Sequence, residues 1–295
     1  MADQFDVIEA GERGRRRWVG LVVVLALLLI PAVSLLTSRD PEPEPTRPTP
    51  EPIRSLTRLE SAPNVLTVPA ARKGGDEVLQ VVFPHGVRAE VRYPAGLDLD
   101  EKGSRPFQSG WVDGRLRMFV APYGGEAEIT RGDEPIRNFA PNVTLWPRQA
   151  GSRFYGQVLL FAFGPWRLAV HDRGYGPGDA LTFEQRLTLA RSLKGAVTEH
   201  GYLVLSAGGD VRLAEPGDTE QGAPVGPQLW FGGGTREMVA LVPTPDCRKK
   251  ARMPQVIEGL RRSAEMVCRG DVLVAVAGSA EFRRQAIEGI RVTVR

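Results

Sequence analysis

Histidine and cysteine are scarce in this chain. Three histidines (His85, His171, His200) and two cysteines (Cys247, Cys268) are spread over 295 residues. No HxH, HxxxH or HExxH pairing occurs, so no local zinc site is legible. GxSxG and SxxK are also missing, which argues against the common serine-hydrolase and penicillin-binding patterns. Neither cysteine has a histidine close in sequence, which weakens a thiol nucleophile. His171 and Asp172 are neighbours, but adjacent strand residues point to opposite faces. Gly232-Gly233-Gly234-Thr235 lacks the lysine of a phosphate loop and reads as a turn between strands. Asp98-Leu99-Asp100-Glu101 lacks the glycine-centred calcium loop and reads as solvated. The formal net charge is only +3, from 38 Lys plus Arg against 35 Asp plus Glu. That excess is too small for a dedicated polyelectrolyte binder, so nucleic acid is not an expected partner. No catalytic, cofactor-binding or metal-ligating set is expected.

What the chain does have is apolar content of 42%, too high for a wholly disordered polymer. Trp18 to Leu36 reads WVGLVVVLALLLIPAVSLL, with no charge between Arg17 and Arg39. At 1.5 Å per residue this run covers roughly 28 Å, the thickness of a hydrocarbon core. Arg13, Arg15, Arg16 and Arg17 stand before it, and basic residues beside a span mark its cytoplasmic end. The alternative is a cleaved signal peptide, with Val19 to Ile30 as its apolar region, Pro31 as breaker and Ala32-Val33-Ser34 at cleavage spacing. A retained anchor is preferred because the apolar run continues through Leu35 and Leu36. The expected layout is a cytoplasmic tail (1–17), a transmembrane helix (18–36) and an extracytoplasmic bulk at the cell membrane. Pro41, Pro43, Pro45, Pro48, Pro50 and Pro52 make 37–54 a Pro-rich linker, whose polyproline II form would reach about 40 Å.

Both cysteines lie beyond the anchor, 21 positions apart. In an oxidising compartment they form one disulfide; two buried free thiols are the alternative. From Arg236 onward there are 12 basic and 7 acidic residues, so the positive excess belongs to the C-terminal piece. Its densest patch is Arg248, Lys249, Lys250 and Arg252 with Arg261, Arg262 and Arg269. Such a patch can meet phosphate headgroups or anionic cell-wall polymers through screened attraction. A solvated helix face explains it equally.

Short runs rich in Val, Leu or Phe and bounded by Gly, Pro or Asp predict strands. They are 78–83, 87–93, 116–121, 158–163, 166–171, 202–206, 238–242 and 271–277. Three helices are predicted. Thr182 with Gln185 makes a capping box for 182–194, which Gly195 would stop. Pro254 to Val267 carries Val256, Leu260, Ala264 and Val267 on one stripe. Ser279 to Gly289 packs through Phe282 and Ala286. An internal duplication is also expected. It matches 78–91 with 156–170, Gly124-Gly125-Glu126 with Gly208-Gly209-Asp210, Gly132-Asp133 with Gly217-Asp218, and Leu145-Trp146 with Leu229-Trp230. The alternative is chance agreement among glycine-rich turns. The predicted fold class is α+β, mainly antiparallel, with a first β-rich repeat (55–150), a second with an inserted helix (151–235) and a C-terminal βαβαβ module (236–295).

FGPWRLAVHD (163–172), with the arginine-flanked anchor and proline spacer, resembles single-pass membrane proteins of actinobacteria. The resemblance lies in layout; it implies an envelope location and carries over no functional residue. The expected function is a membrane-anchored, non-catalytic binding or interaction module. Its partners would be the lipid bilayer through the anchor, and an envelope protein or anionic cell-wall polymer. The rival is an envelope hydrolase or transferase with a dispersed active site, since triads are spatial rather than sequential.

Overall fold

The computed structural model describes residues 64–131, 133–147, 157–171, 180–233, 237–260 and 263–295. The expected tail (1–17), transmembrane helix (18–36) and linker (37–54) lie outside the described residues. Among those described, no helix is long and apolar enough to cross a membrane.

In chain order the first elements are β1 (Ala71–Lys73), β2 (Asp76–Val82), β3 (Arg88–Pro94), α1 (Leu99–Lys102), β4 (Ser104–Val112) and β5 (Arg115–Val120). Next come α2 (Gly125–Thr130), β6 (Arg137–Ala140), β7 (Val143–Trp146), β8 (Val158–Phe163), β9 (Trp166–His171) and α3 (Phe183–Ser192). Then follow β10 (Lys194–Val197), β11 (Leu203–Ser206), β12 (Val211–Leu213), β13 (Thr219–Glu220), β14 (Ala223–Pro224) and β15 (Gln228–Gly232). The chain continues through β16 (Met238–Pro243), α4 (Cys247–Lys250), α5 (Gln255–Glu258), β17 (Ala264–Arg269), β18 (Val272–Ala277), α6 (Ala280–Gly289) and β19 (Arg291–Val294).

All strand pairings among the described residues are antiparallel. The long sheet runs β17-β18-β16-β15-β4-β5-β9-β8-β7-β6, with β12 beside β4; a second sheet is β1-β2-β3-β19. The fold is therefore α+β and mainly antiparallel. β4 is the hub. Ser104 to Phe107 pair with β15, Val112 to Gly110 pair with β12, and the opposite edge pairs with β5. β12 crosses so closely that a Cβ on Gly110 would lie 2.8 Å from the Arg212 carbonyl oxygen.

β16 and β18 are buried throughout because both faces of the long sheet are covered. Alternate residues therefore feed two cores. Val239, Leu241, Val274 and Val276 join one with the inner faces of β2 and β3 and with Phe282 and Ala286 of α6. Met238, Ala240, Leu273 and Ala275 join the other with Phe107, Trp230, Cys247 and Ile257. Farther along the sheet, Phe119, Phe161 and Leu168 pack under Leu189 and Ala190 of α3 and Leu203 and Leu205 of β11. The capping box of α3 is in place: Gln185 N–H donates to Thr182 Oγ1, and Thr182 N–H to Gln185 Oε1.

Two local expectations are corrected. The helix over 254–267 exists only as α5, and Ala264 to Arg269 form a strand. Six residue pairs in register with β18 outweigh the modest helix preference of that segment. The C-terminal order is consequently β16, α4, α5, β17, β18, α6, β19, not βαβαβ. The second correction concerns Gly195, which does not cap α3. The helix ends at Ser192 with extended Leu193 as cap, and Gly195 lies on β10. Its reason is close packing, since a Cβ there would lie 2.4 Å from the Phe163 ring.

The segments matched as repeats both contain hairpins, β2–β3 and β8–β9, and both matched tryptophans stand on strands, β7 and β15. The hairpins belong to different sheets, and Gly125 opens α2 whereas Gly209 sits in the β11–β12 turn. Gly132 lies outside the described residues. Both sheets pass through the expected module boundaries: in the long sheet β4 pairs with β15 and β15 with β16, and in the four-stranded sheet β3 pairs with β19. Pro52 to Arg295 form one compact unit.

Candidate functional site

Cys247 and Cys268 are joined by a disulfide, with S–S 2.02 Å and Cα–Cα 5.8 Å. Cys247 is buried in the core that also holds Leu273 and Ala275, so the bond ties α4 to β17. Two further contacts fix the approach to α4. Thr244 N–H donates to the Asp271 carbonyl at 2.7 Å, and Asp246 N–H to Asp271 Oδ1 at 3.1 Å. Beyond Cys247 the chain turns Ala251, Met253 and Ile257 inward. Arg248, Lys249, Lys250 and Arg252 are left exposed on this pinned turn. Lys250 reaches Asp246 at 3.7 Å; both groups are more than half exposed, and such a pair contributes little. Arg248, Lys249 and Arg252 have no carboxylate partner among the described residues, and Arg252 donates to the Ala251 carbonyl. The result is a rigidly mounted cluster of positive charge that attracts anions and weakens with salt.

Of the sequence-predicted patch, the structure brings together Arg248, Lys249, Lys250 and Arg252. Arg261 and Arg262 lie outside the described residues. Arg269 does not join the cluster. Its guanidinium donates to the Ile290 carbonyl at 2.7 Å and to the Ile287 carbonyl, satisfying the orphan carbonyls at the end of α6. Burial pulls its pKa down, and the charge of Arg291 adds to that.

No family model, curated protein or solved structure matches this chain. The chemistry of the site is therefore read from its own residues.

Both thiols are consumed by the disulfide, and among the described residues no group of three His, Cys, Asp or Glu could hold a metal. His200 is exposed on a turn, and His171 ends β9 with Asp172 outside the described residues. His85 is half-buried beside Phe83, ring centroids 5.9 Å apart, and burial lowers its pKa, favouring the neutral imidazole. Asp98 to Glu101 largely form α1, whose Leu99 enters the core.

Arg105 and Glu126 are two of the four buried charged residues that escaped sequence reasoning, with Glu77 and Arg117. Arg105, only 7% exposed, donates to the carbonyls of Ala121 at 3.1 Å and Gly232 at 3.3 Å. Glu126, 5% exposed, meets Arg167 at 3.1 Å. Its pKa is raised because desolvation exceeds the help from Arg167. Asn64 fixes the same corner, donating to the Arg167 carbonyl and accepting from Arg167 N–H. No local pattern marks Arg105, Glu126 or Asn64, since each partner is remote in sequence.

Proposed function

We propose that the chain is a single-pass protein of the bacterial cell envelope whose folded unit is an extracytoplasmic, non-catalytic binding module. In this reading the 18–36 segment anchors it, the proline-rich linker spaces it from the bilayer, and the 247–252 turn contacts an anionic surface. The observation that carries the proposal is the exposed cationic turn fixed by the Cys247–Cys268 disulfide. A disulfide that ties a surface turn to a core persists in an oxidising compartment, which supports the extracytoplasmic placement. Internal repetition, in this reading, is confined to the two hairpins and the two Trp-bearing strands.

Two measurements test it. Protease added to intact cells should trim everything beyond the linker; full protection of that bulk sinks the topology. The 52–295 unit should sediment with vesicles containing anionic lipid, less so as salt rises. Replacing Arg248, Lys249, Lys250 and Arg252 by Gln should abolish that sedimentation. Equal sedimentation of the variant and the wild type overturns the role of the turn.

A further inference from the structure

The outer face of the four-stranded sheet gathers arginines from opposite ends of the folded unit. Pairing of β3 with β19 sets Arg92 directly opposite Arg291 and Glu90 opposite Thr293. Arg295 N–H donates to the Arg88 carbonyl, so Arg88 and Arg295 stand side by side one step farther along. All four arginines are exposed, while the alternating Ala89, Val91 and Val292 turn towards the core. Like charges placed directly opposite one another on a sheet repel, and this sheet does it twice within five residues of strand.

Among the described residues, two carboxylates pair with these four arginines. Asp76 meets Arg92 at 2.6 Å and Glu90 meets Arg295 at 2.6 Å, in exposed pairs that a competing anion can displace. Arg88 has no carboxylate partner among the described residues. Arg291 has none either and donates to the Glu288 and Ile290 carbonyls. Its field reaches Arg269, whose pKa it helps to depress.

We propose that this face binds a linear polymer carrying phosphate groups at regular intervals, with each facing arginine pair holding one phosphate. The planar guanidinium fork matches phosphate oxygens better than a lysine point charge does. Four residues separate the two pairs along each strand, about 13 Å at ~3.3 Å per residue. A single anion can therefore occupy one pair only, whereas a polymer lying along the strands engages both. The surface is separate from the 247–252 turn and does not depend on the chain being membrane-anchored.

The test uses the full-length protein in a neutral detergent and fluorescently labelled long-chain polyphosphate, titrated by anisotropy at several salt concentrations. R92Q/R291Q and R88Q/R295Q should each weaken binding at least tenfold. Each should also lower the slope of log affinity against log salt by about 0.7, as expected when one phosphate is no longer neutralised. R92K/R291K should keep the salt slope while losing affinity, because charge remains and the fork is gone. R191Q/K194Q, which removes two exposed charges outside both cationic surfaces, should change neither quantity. Circular dichroism of the exposed-face variants should match the wild type. Wild-type polyphosphate affinity in both glutamine variants overturns the proposal. So does displacement of the polymer by inorganic phosphate at equal phosphate concentration. Loss of binding to anionic vesicles, with no polyphosphate binding by the wild type, would assign the face to a membrane instead and overturn it equally.

Discussion

The guanidinium of Arg105 lies 5.8 Å from the ring centroid of Trp230 and 5.3 Å from that of Tyr123, while its N–H groups hold the carbonyls of Ala121 and Gly232. A buried cation thus ties the end of β15 to the residue after β5. Its pKa is lowered by burial, against the opposing field of Glu128. Arg105→Lys should destabilise the protein by about 1–3 kcal/mol, because an ammonium cannot span both carbonyls and stack on rings. Urea unfolding should show a lower midpoint at unchanged slope, and an unchanged midpoint would refute the role.

Removing the disulfide should lower stability and loosen the cationic turn together. The loop it closes spans 21 positions, for which chain entropy predicts about 3 kcal/mol. C247S/C268S should therefore melt well below the wild type, and a reducing agent should lower the wild-type melting temperature without affecting the variant. The same variant should bind anionic vesicles more weakly, since Arg248 and Lys249 lose their rigid mount.

Glu126 makes stability depend on pH. Its folded-state pKa is raised, mainly by desolvation, so the protonated form is favoured in the folded protein. The associated stability is fully present below the ordinary glutamate value of about 4.3 and is lost as pH rises through the folded-state pKa. Glu126→Gln should flatten this part of the profile. Urea titrations from mildly acidic to neutral pH should show the wild type losing stability relative to the variant. A parallel pair of profiles contradicts the assignment.

The strands at 158–163 and 166–171 were legible because each is a dense apolar run closed by glycine or proline, and the Thr182–Gln185 capping box marked α3 for the same local reason. β4 was not legible. SRPFQSGWV mixes Pro, Gly and polar residues, and its Ser104, Gln108 and Ser109 are buried only because neighbouring strands enclose them. Gln108, for instance, donates to the Ala214 carbonyl at 2.6 Å, a partner 106 residues away. The 264–269 segment misled in the opposite direction: six residues can satisfy both a helical stripe and an edge strand, and pairing with β18 decided between them.

The order of residues along the chain suffices to specify the apolar run at 18–36, the proline-rich run at 41–52, the positions of eight of the nineteen strands among the described residues and the four clustered cations of the 247–252 turn. Each of these is a property of residues adjacent in the chain, where periodicity, proline chemistry and local charge are expressed directly. Folding in three dimensions was needed to make β4 the hub, to send Arg269 to the end of α6, and to set Arg92 opposite Arg291. Those relations join residues whose separation along the chain is large, and strand pairing together with burial is the physical agent that brings them within reach of one another.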